Sequence, residues 1–235
     1  MDERGSSERG AWYFAYGSNL HPEKLRSRAD LKVRDEACAF VDGWGLRFDM
    51  PGIPPAEPSM ANLVEETGNT VHGAVISLSG EDCEALARSE GGSIFYRRVE
   101  LEATTYDQRR VRAFAFVGAP EVQLQESRPP SRRYLDLIRA GARARGLDPA
   151  YCDRLDRLPA VSSSALARRA SALVLDVYTS AAKTHFGGAA NHYLRLLQRT
   201  DELPTMPRWV VQAGLLAPTL CAGTILRLRR RLGGL

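Results

Sequence analysis

Residues 13–20 have the sequence Tyr-Phe-Ala-Tyr-Gly-Ser-Asn-Leu, and the fold prediction depends on this stretch more than on any other. Its first four residues are apolar or aromatic, which predicts a buried β-strand. The strand ends at Gly17, and Pro22 then begins a helical pattern, because proline is well tolerated in the first helical turn. A strand that turns into a helix at a glycine directs several backbone N–H groups toward one point. The stretch therefore predicts a pocket for a carboxylate, a phosphate or an oxyanion.

The composition is that of an ordinary soluble globular protein. The chain has 235 residues, of which 44% are hydrophobic and 26% are charged. Its net charge is +4 and its pI is about 9.0. This positive balance is modest and accompanies no recognised binding motif, so we expect no nucleic-acid partner. The first residues are polar and lack an apolar signal segment, and residues 1–11 are predicted to be a flexible tail.

Cysteines and histidines do not form a recognisable metal or nucleophile pattern. The four cysteines lie far apart, at Cys38, Cys83, Cys152 and Cys221. This spacing predicts neither a metal pair nor a disulfide framework, and it favours a reducing, cytoplasmic location. The four histidines also lack metal-ligand spacing. We therefore expect no metal and no other cofactor.

The pattern along the chain predicts an α+β fold. Strand signals dominate from residue 12 to residue 117, with strands expected at 37–48, 71–78, 96–106 and 111–117. A proline-rich loop is expected at residues 50–60. Short helices are expected at 83–89, after Ser131 and after Pro149. Many strands followed by helices are typical of a mixed, curved sheet or barrel that is flanked by helices.

A change of composition after residue 161 predicts a domain boundary. Residues 12–161 would form the core domain and residues 162–235 a helical C-terminal extension. Residues 209–226 are the most apolar part of the extension, and the basic run 227–231 follows them. Three alternatives remain for the segment 209–231: a buried helix pair or self-association surface, peripheral membrane attachment, and a tail for an acidic partner.

Several motifs together resemble the gamma-glutamylcyclotransferase-like (AIG2-like) family. They occur in the order and at about the spacing of that family, over roughly residues 12–159. The resemblance is carried by residues 14–20, 71–75, the Glu90-Gly91 pair, Tyr96, 99–103, 130–138, 141–142 and 146–151.

The resemblance implies an enzyme, of the lyase or transferase class, that acts on a small-molecule gamma-glutamyl amide. In this reaction the glutamyl alpha-amine attacks the gamma-carbonyl of its own side chain, and 5-oxoproline and a free amine are released. The residue that matches the family's catalytic carboxylate is Glu90, which would act as general acid and base. The substrate-binding residues implied by the family are Tyr16, Gly17, Ser18, Asn19, Leu20, Tyr96 and Tyr134.

Alternatives remain open for the function and for individual residues. The same chemistry could serve one gamma-glutamylated biosynthetic intermediate, or the fold could be a non-catalytic binding module. Asn19 is either a cap or turn residue or a substrate contact, and Tyr134 is either a core residue or a ligand contact. Ser18 is not expected to be a nucleophile, because the loop lacks a partner base. Residues 50–60 and 91–95 are expected to determine which amine leaves.

Overall fold

The computed structural model describes residues 10–29, 31–53, 55–89 and 95–172. Five strands form a closed barrel in the order β1-β3-β2-β4-β5. The strands are β1 (Ala11–Ala15), β2 (Asp35–Pro51), β3 (Ser59–Leu78), β4 (Tyr96–Thr105) and β5 (Arg110–Gly118). The helices are α1 (Pro22–Ala29), α2 (Gly80–Ser89), α3 (Arg132–Arg145) and α4 (Pro149–Arg157). This architecture confirms the predicted mixed α+β fold with a curved, barrel-like sheet.

The first strand closes the barrel because it pairs on both edges. It is antiparallel to β3, with Ala15 opposite Ala74, and parallel to β5, with Tyr13 opposite Phe114. The apolar run at residues 13–16 is buried throughout, as a strand without a solvent-facing edge requires. The loop that follows β1 therefore starts from a rigid position at one end of the barrel.

The helix boundaries follow the capping residues seen in the sequence. Ser79 Oγ accepts a hydrogen bond from Asp82 N at the start of α2, and Ser131 Oγ accepts one from Tyr134 N at the start of α3. Helix α3 ends at Gly146, whose φ of 70° is the left-handed conformation common at helix ends. Asp148 caps α4 in the same way as Ser131 caps α3. The expected helices after Ser131 and Pro149 are confirmed.

The long hairpin of β2 and β3 differs from the prediction. Residues 71–78 were expected to be a separate strand, but they are the last part of a 20-residue strand that begins at Ser59. Residues 64–70 of this strand are largely exposed and polar, so they lack the apolar alternation that identifies a half-buried strand. Gly43, within β2, has a φ of +78°, a backbone conformation that favours glycine.

The described residues fall into two compact units. The larger contains the barrel and helices α1 to α4, from the first described residues to residue 50 and from 60 to 160. In the smaller, which includes residues 51–59 and 161–172, Ser171 Oγ accepts from Ala56 N and donates to Ile53 O, both at 2.9 Å. The boundary at residue 162 stays a prediction.

Among the helices that the structure describes, none combines the length and the apolarity needed to span a membrane. The segment 209–231 lies outside the described residues.

Candidate active site

The loop after β1 is a tight turn that contains most of the predicted binding residues. Residues Ser18–Leu20 form one turn of 3₁₀ helix, preceded by Gly17 and followed by α1. Leu20 N donates to Gly17 O at 2.9 Å. The turn itself therefore uses the Leu20 N–H. Binding of substrate by the other backbone N–H groups of the loop stays a prediction.

The side chains of this loop are directed into the protein. Tyr16 Oη donates to Phe116 O at 2.5 Å, and Asn19 Nδ2 donates to Tyr13 Oη at 2.9 Å. Leu20 is fully buried and belongs to the core. Asn19 lies in the turn and is held against β1, and Gly17, not Asn19, occupies the capping position. That Asn19 also contacts substrate stays a prediction. Internal bonds of this kind hold the loop in one conformation, as a binding loop requires.

Helix α3 places Tyr134 against this loop. Tyr134 is 9% exposed, and its Oη accepts a hydrogen bond from Ala61 N at 3.2 Å. A methyl group built on Gly17 would lie 3.5 Å from the same oxygen and 3.4 Å from Ala61 Cβ. Tyr134 is therefore a buried core residue that also connects α3, β3 and the loop. Whether it contacts substrate as well stays a prediction.

Two more residues of α3 hold the far side of the loop. A Cβ on Gly141 would lie 2.4 Å from His21 N and 2.5 Å from the carbonyl carbon of Leu20. Arg145 Nε donates to Leu20 O at 2.7 Å, and Arg145 Nη1 pairs with Glu36 Oε2 at 2.7 Å. The Arg145 side chain is only 4% exposed and the Glu36 side chain 37%, so the arginine end of the pair is shielded from water while the carboxylate end is not. These contacts fix the position of the Leu20 carbonyl group in the loop.

A third group of residues joins the barrel strands near the same loop. Tyr96 is the first residue of β4 and lies opposite Gly118, the last residue of β5. Gly118 N donates to Asn62 Oδ1 at 2.8 Å, and Asn62 is completely buried. Sequence reasoning missed Asn62. The only available signal was a polar residue between two apolar ones, Ala61 and Leu63, at the start of a strand.

The groups that could transfer protons or act as nucleophiles are the carboxylate of Glu90 and the cysteine thiols. Glu90 directly follows the last residue of α2 and lies outside the described residues. Burial raises the pKa of the thiols of Cys38, Cys83 and Cys152, so these groups stay protonated at neutral pH. A protonated thiol is a poor nucleophile. The described cysteines are therefore poorly suited to covalent catalysis.

Replacing Tyr134 by phenylalanine is expected to lower the free energy of unfolding by about 1–3 kcal/mol. The substitution removes the acceptor of the buried Ala61 N–H, and an unsatisfied buried donor costs about that much. Urea denaturation would measure the difference in the free energy of unfolding, provided that its dependence on urea concentration, the m-value, is the same in both proteins. Tyr16→Phe is the matched comparison, because it leaves a carbonyl without its donor, and carbonyls tolerate a missing partner better. An equal or larger loss for Tyr16→Phe would contradict this prediction.

Comparison with known families defines the class of protein. A model described as "Gamma-glutamyl cyclotransferase, AIG2-like" matches residues 13–136, more than half of the 235-residue chain. The chain belongs to this family. The matched region begins in β1, includes the loop, Glu90 and Tyr96, and ends two residues after Tyr134.

Individual relatives agree with this assignment. The gamma-glutamyl cyclotransferase gliK of Aspergillus fumigatus is 36% identical over 173 residues, which cover 64% of this chain and 63% of that protein. The match thus spans less than two thirds of that relative's length. The gamma-glutamylcyclotransferase of Bos taurus is 27% identical over 161 residues, 67% of this chain and 83% of that protein. A solved structure of a gamma-glutamyl cyclotransferase has a TM-score of 0.58 at 23% identity, covering 65% of this chain and 90% of the other, and this likeness establishes the fold.

Proposed function

We propose that the protein is a gamma-glutamylcyclotransferase that converts a gamma-glutamyl amide into 5-oxoproline and a free amine. The observation that supports this most is the extent of the family match, which contains Glu90 and every predicted binding residue from Tyr16 to Tyr134. The buried, internally bonded loop at residues 16–20 is consistent with a rigid substrate site.

The proposed reaction uses the substrate's own nucleophile. The alpha-amine nitrogen forms a bond to the gamma-carbonyl carbon, and the bond from that carbon to the amide nitrogen breaks. The attacking nitrogen loses a proton, and the leaving nitrogen gains one. Because both reacting groups belong to one molecule, the protein must hold them close together, and such positioning can lower the barrier by roughly 7–11 kcal/mol.

Glu90 would transfer both protons. Its carboxylate would accept the proton from the alpha-amine and then give it to the leaving nitrogen, so that the enzyme returns to its starting state. Negative charge develops on the gamma-carbonyl oxygen during the attack, and donors at the loop would stabilise it. Tyr134 would hold the loop in place in addition to the substrate contact that the resemblance implies, and Arg145 would act through the loop alone.

The activity can be tested directly with a panel of substrates. We expect 5-oxoproline, quantified by mass spectrometry, from at least one member of a panel of gamma-glutamyl amino acids, dipeptides and amines. The matched control is the same compound with an acetylated alpha-amine, which has no nucleophile and should give no product. A single accepted member would support a dedicated enzyme, and many would support a broad one. If no member gave product, a binding module on this fold would be the better explanation.

A further inference from the structure

The orientation of the Asn62 side chain is determined by its neighbour. Asn62 is fully buried, and its Oδ1 accepts the hydrogen bond of Gly118 N at 2.8 Å. A backbone N–H can only donate, so the amide atom that faces it must be the oxygen. The Nδ2 group, with its two N–H donors, therefore points away from that bond.

Among the residues that the structure describes, no acceptor lies within hydrogen-bond distance of Asn62 Nδ2. Such buried, unsatisfied groups are rare in native proteins, because burial removes the water that would otherwise bind them. A ligand that brings an oxygen to this position would satisfy the group.

Nδ2 lies next to a glycine that is paired with a predicted binding residue. Nδ2 lies 3.2 Å from the position that a Cβ on Gly118 would occupy, and Gly118 is in register with Tyr96. Asn62 also directly follows Ala61, whose N–H bonds to Tyr134 and whose Cβ faces Gly17. The free donor therefore lies beside Gly118, the partner in register of Tyr96, and on the strand segment whose preceding residue supports Gly17 and Tyr134 from the other face.

We infer that Asn62 is a substrate-binding residue whose Nδ2 donates a hydrogen bond to an oxygen of the gamma-glutamyl group. This inference rests on the proposed function. The gamma-glutamyl group offers two kinds of acceptor, its alpha-carboxylate and its gamma-carbonyl oxygen. A bond to the carboxylate is made equally before and during the reaction, whereas a bond to the carbonyl strengthens as the oxygen becomes negative.

Asn62→Asp tests this assignment. The aspartate keeps an oxygen for Gly118 N but replaces the donor by a second oxygen, so we expect kcat/KM to fall roughly ten- to a hundredfold. A rise in KM alone assigns the bond to the alpha-carboxylate, and a fall in kcat alone assigns it to the gamma-carbonyl. Asn62→Leu is the second variant, because it lacks the charge and should show the same direction of change. Thermal unfolding of both variants would verify that they are folded.

Gln123→Ala is the matched control. Gln123 Nε2 donates to Gly118 O at 2.9 Å, so this variant loosens the same glycine without touching Nδ2. Its kcat/KM should stay within about threefold of the parent. The inference is overturned if either folded Asn62 variant keeps the parent's kcat and KM, or if Gln123→Ala loses as much activity as they do. Failure of the proposed function would look different, since the parent itself would then give no 5-oxoproline from any substrate.

Discussion

Glu90→Gln is expected to lower kcat by about 10²- to 10⁴-fold, the usual contribution of a positioned acid and base. Glutamine has nearly the same size and shape as glutamate, but its amide cannot accept a proton from the alpha-amine and return it to the leaving nitrogen. The substrate would still bind, so KM should change little. Initial rates of 5-oxoproline release over a range of substrate concentrations would separate the two parameters.

Glu84→Gln is the control for this substitution. Glu84 lies in α2, six residues before Glu90, and its side chain is largely exposed and paired with Arg88 at 3.6 Å. An exposed pair of this kind contributes little to stability, so the control should keep the parent's activity. If Glu90→Gln retained more than a tenth of the parent's kcat, the proposed role of Glu90 would be wrong.

Gly141→Ala is expected to impair both stability and activity. The added methyl group would lie 2.4 Å from His21 N and 2.5 Å from the carbonyl carbon of Leu20. Both are backbone atoms, so the helix and the loop must move apart. Overpacking of this kind costs about 1–3 kcal/mol, against a gain of up to about 1 kcal/mol from the better helix propensity of alanine. We expect a fall of a few degrees in Tm, at about 2–4 °C per kcal/mol, and a loss of at least about tenfold in kcat/KM through displacement of the loop.

Ala144→Gly separates the effect on the loop from the effect on the helix. Ala144 is exposed in the same helix, and glycine there should cost about 1 kcal/mol of helix stability without changing any contact to the loop. This variant should therefore lose some Tm and keep its kcat/KM. Equal losses of activity in the two variants would show that α3 acts through its general stability and not through the contact at residue 141.

The parts of the fold that were predictable have local causes. The turn at Gly17, the first helical turn at Pro22, the cap at Ser131 and the helix end at Gly146 each depend on a few neighbouring residues. The structure confirms the predicted turn at Gly17, the helix start at Pro22 and the helix after Ser131, and Gly146 ends that helix. The start of β3 at Ser59 was not predictable in this way, because residues 64–70 pair with a neighbouring strand while they remain exposed and polar.

The candidate site shows the same division. Its loop and Glu90 were found from the family motif, since motif residues are close together in sequence. Three other features come from contacts between distant segments: the support from Gly141, the support from Arg145 and the free donor of Asn62. The contacts span 56 residues, between Asn62 and Gly118, to 125 residues, between Leu20 and Arg145. No local pattern distinguishes Gly141 from any other helical glycine, or Asn62 from any other polar residue in a strand.

By itself, the sequence determined the family, the α+β class and the turn at residues 17–20, and it predicts Glu90 as the acid and base. Those features follow from backbone preferences and from a short motif. Only the tertiary structure decided that the barrel closes through a parallel pairing of β1 with β5, and that α3 packs on the loop. It also decided that the Leu20 N–H is used within the turn and that Asn62 is buried with a donor for which no described residue supplies an acceptor. The physical reason is that burial and hydrogen bonding depend on which distant segments of the chain are in contact. Those contacts are set by the way the strands close into a barrel.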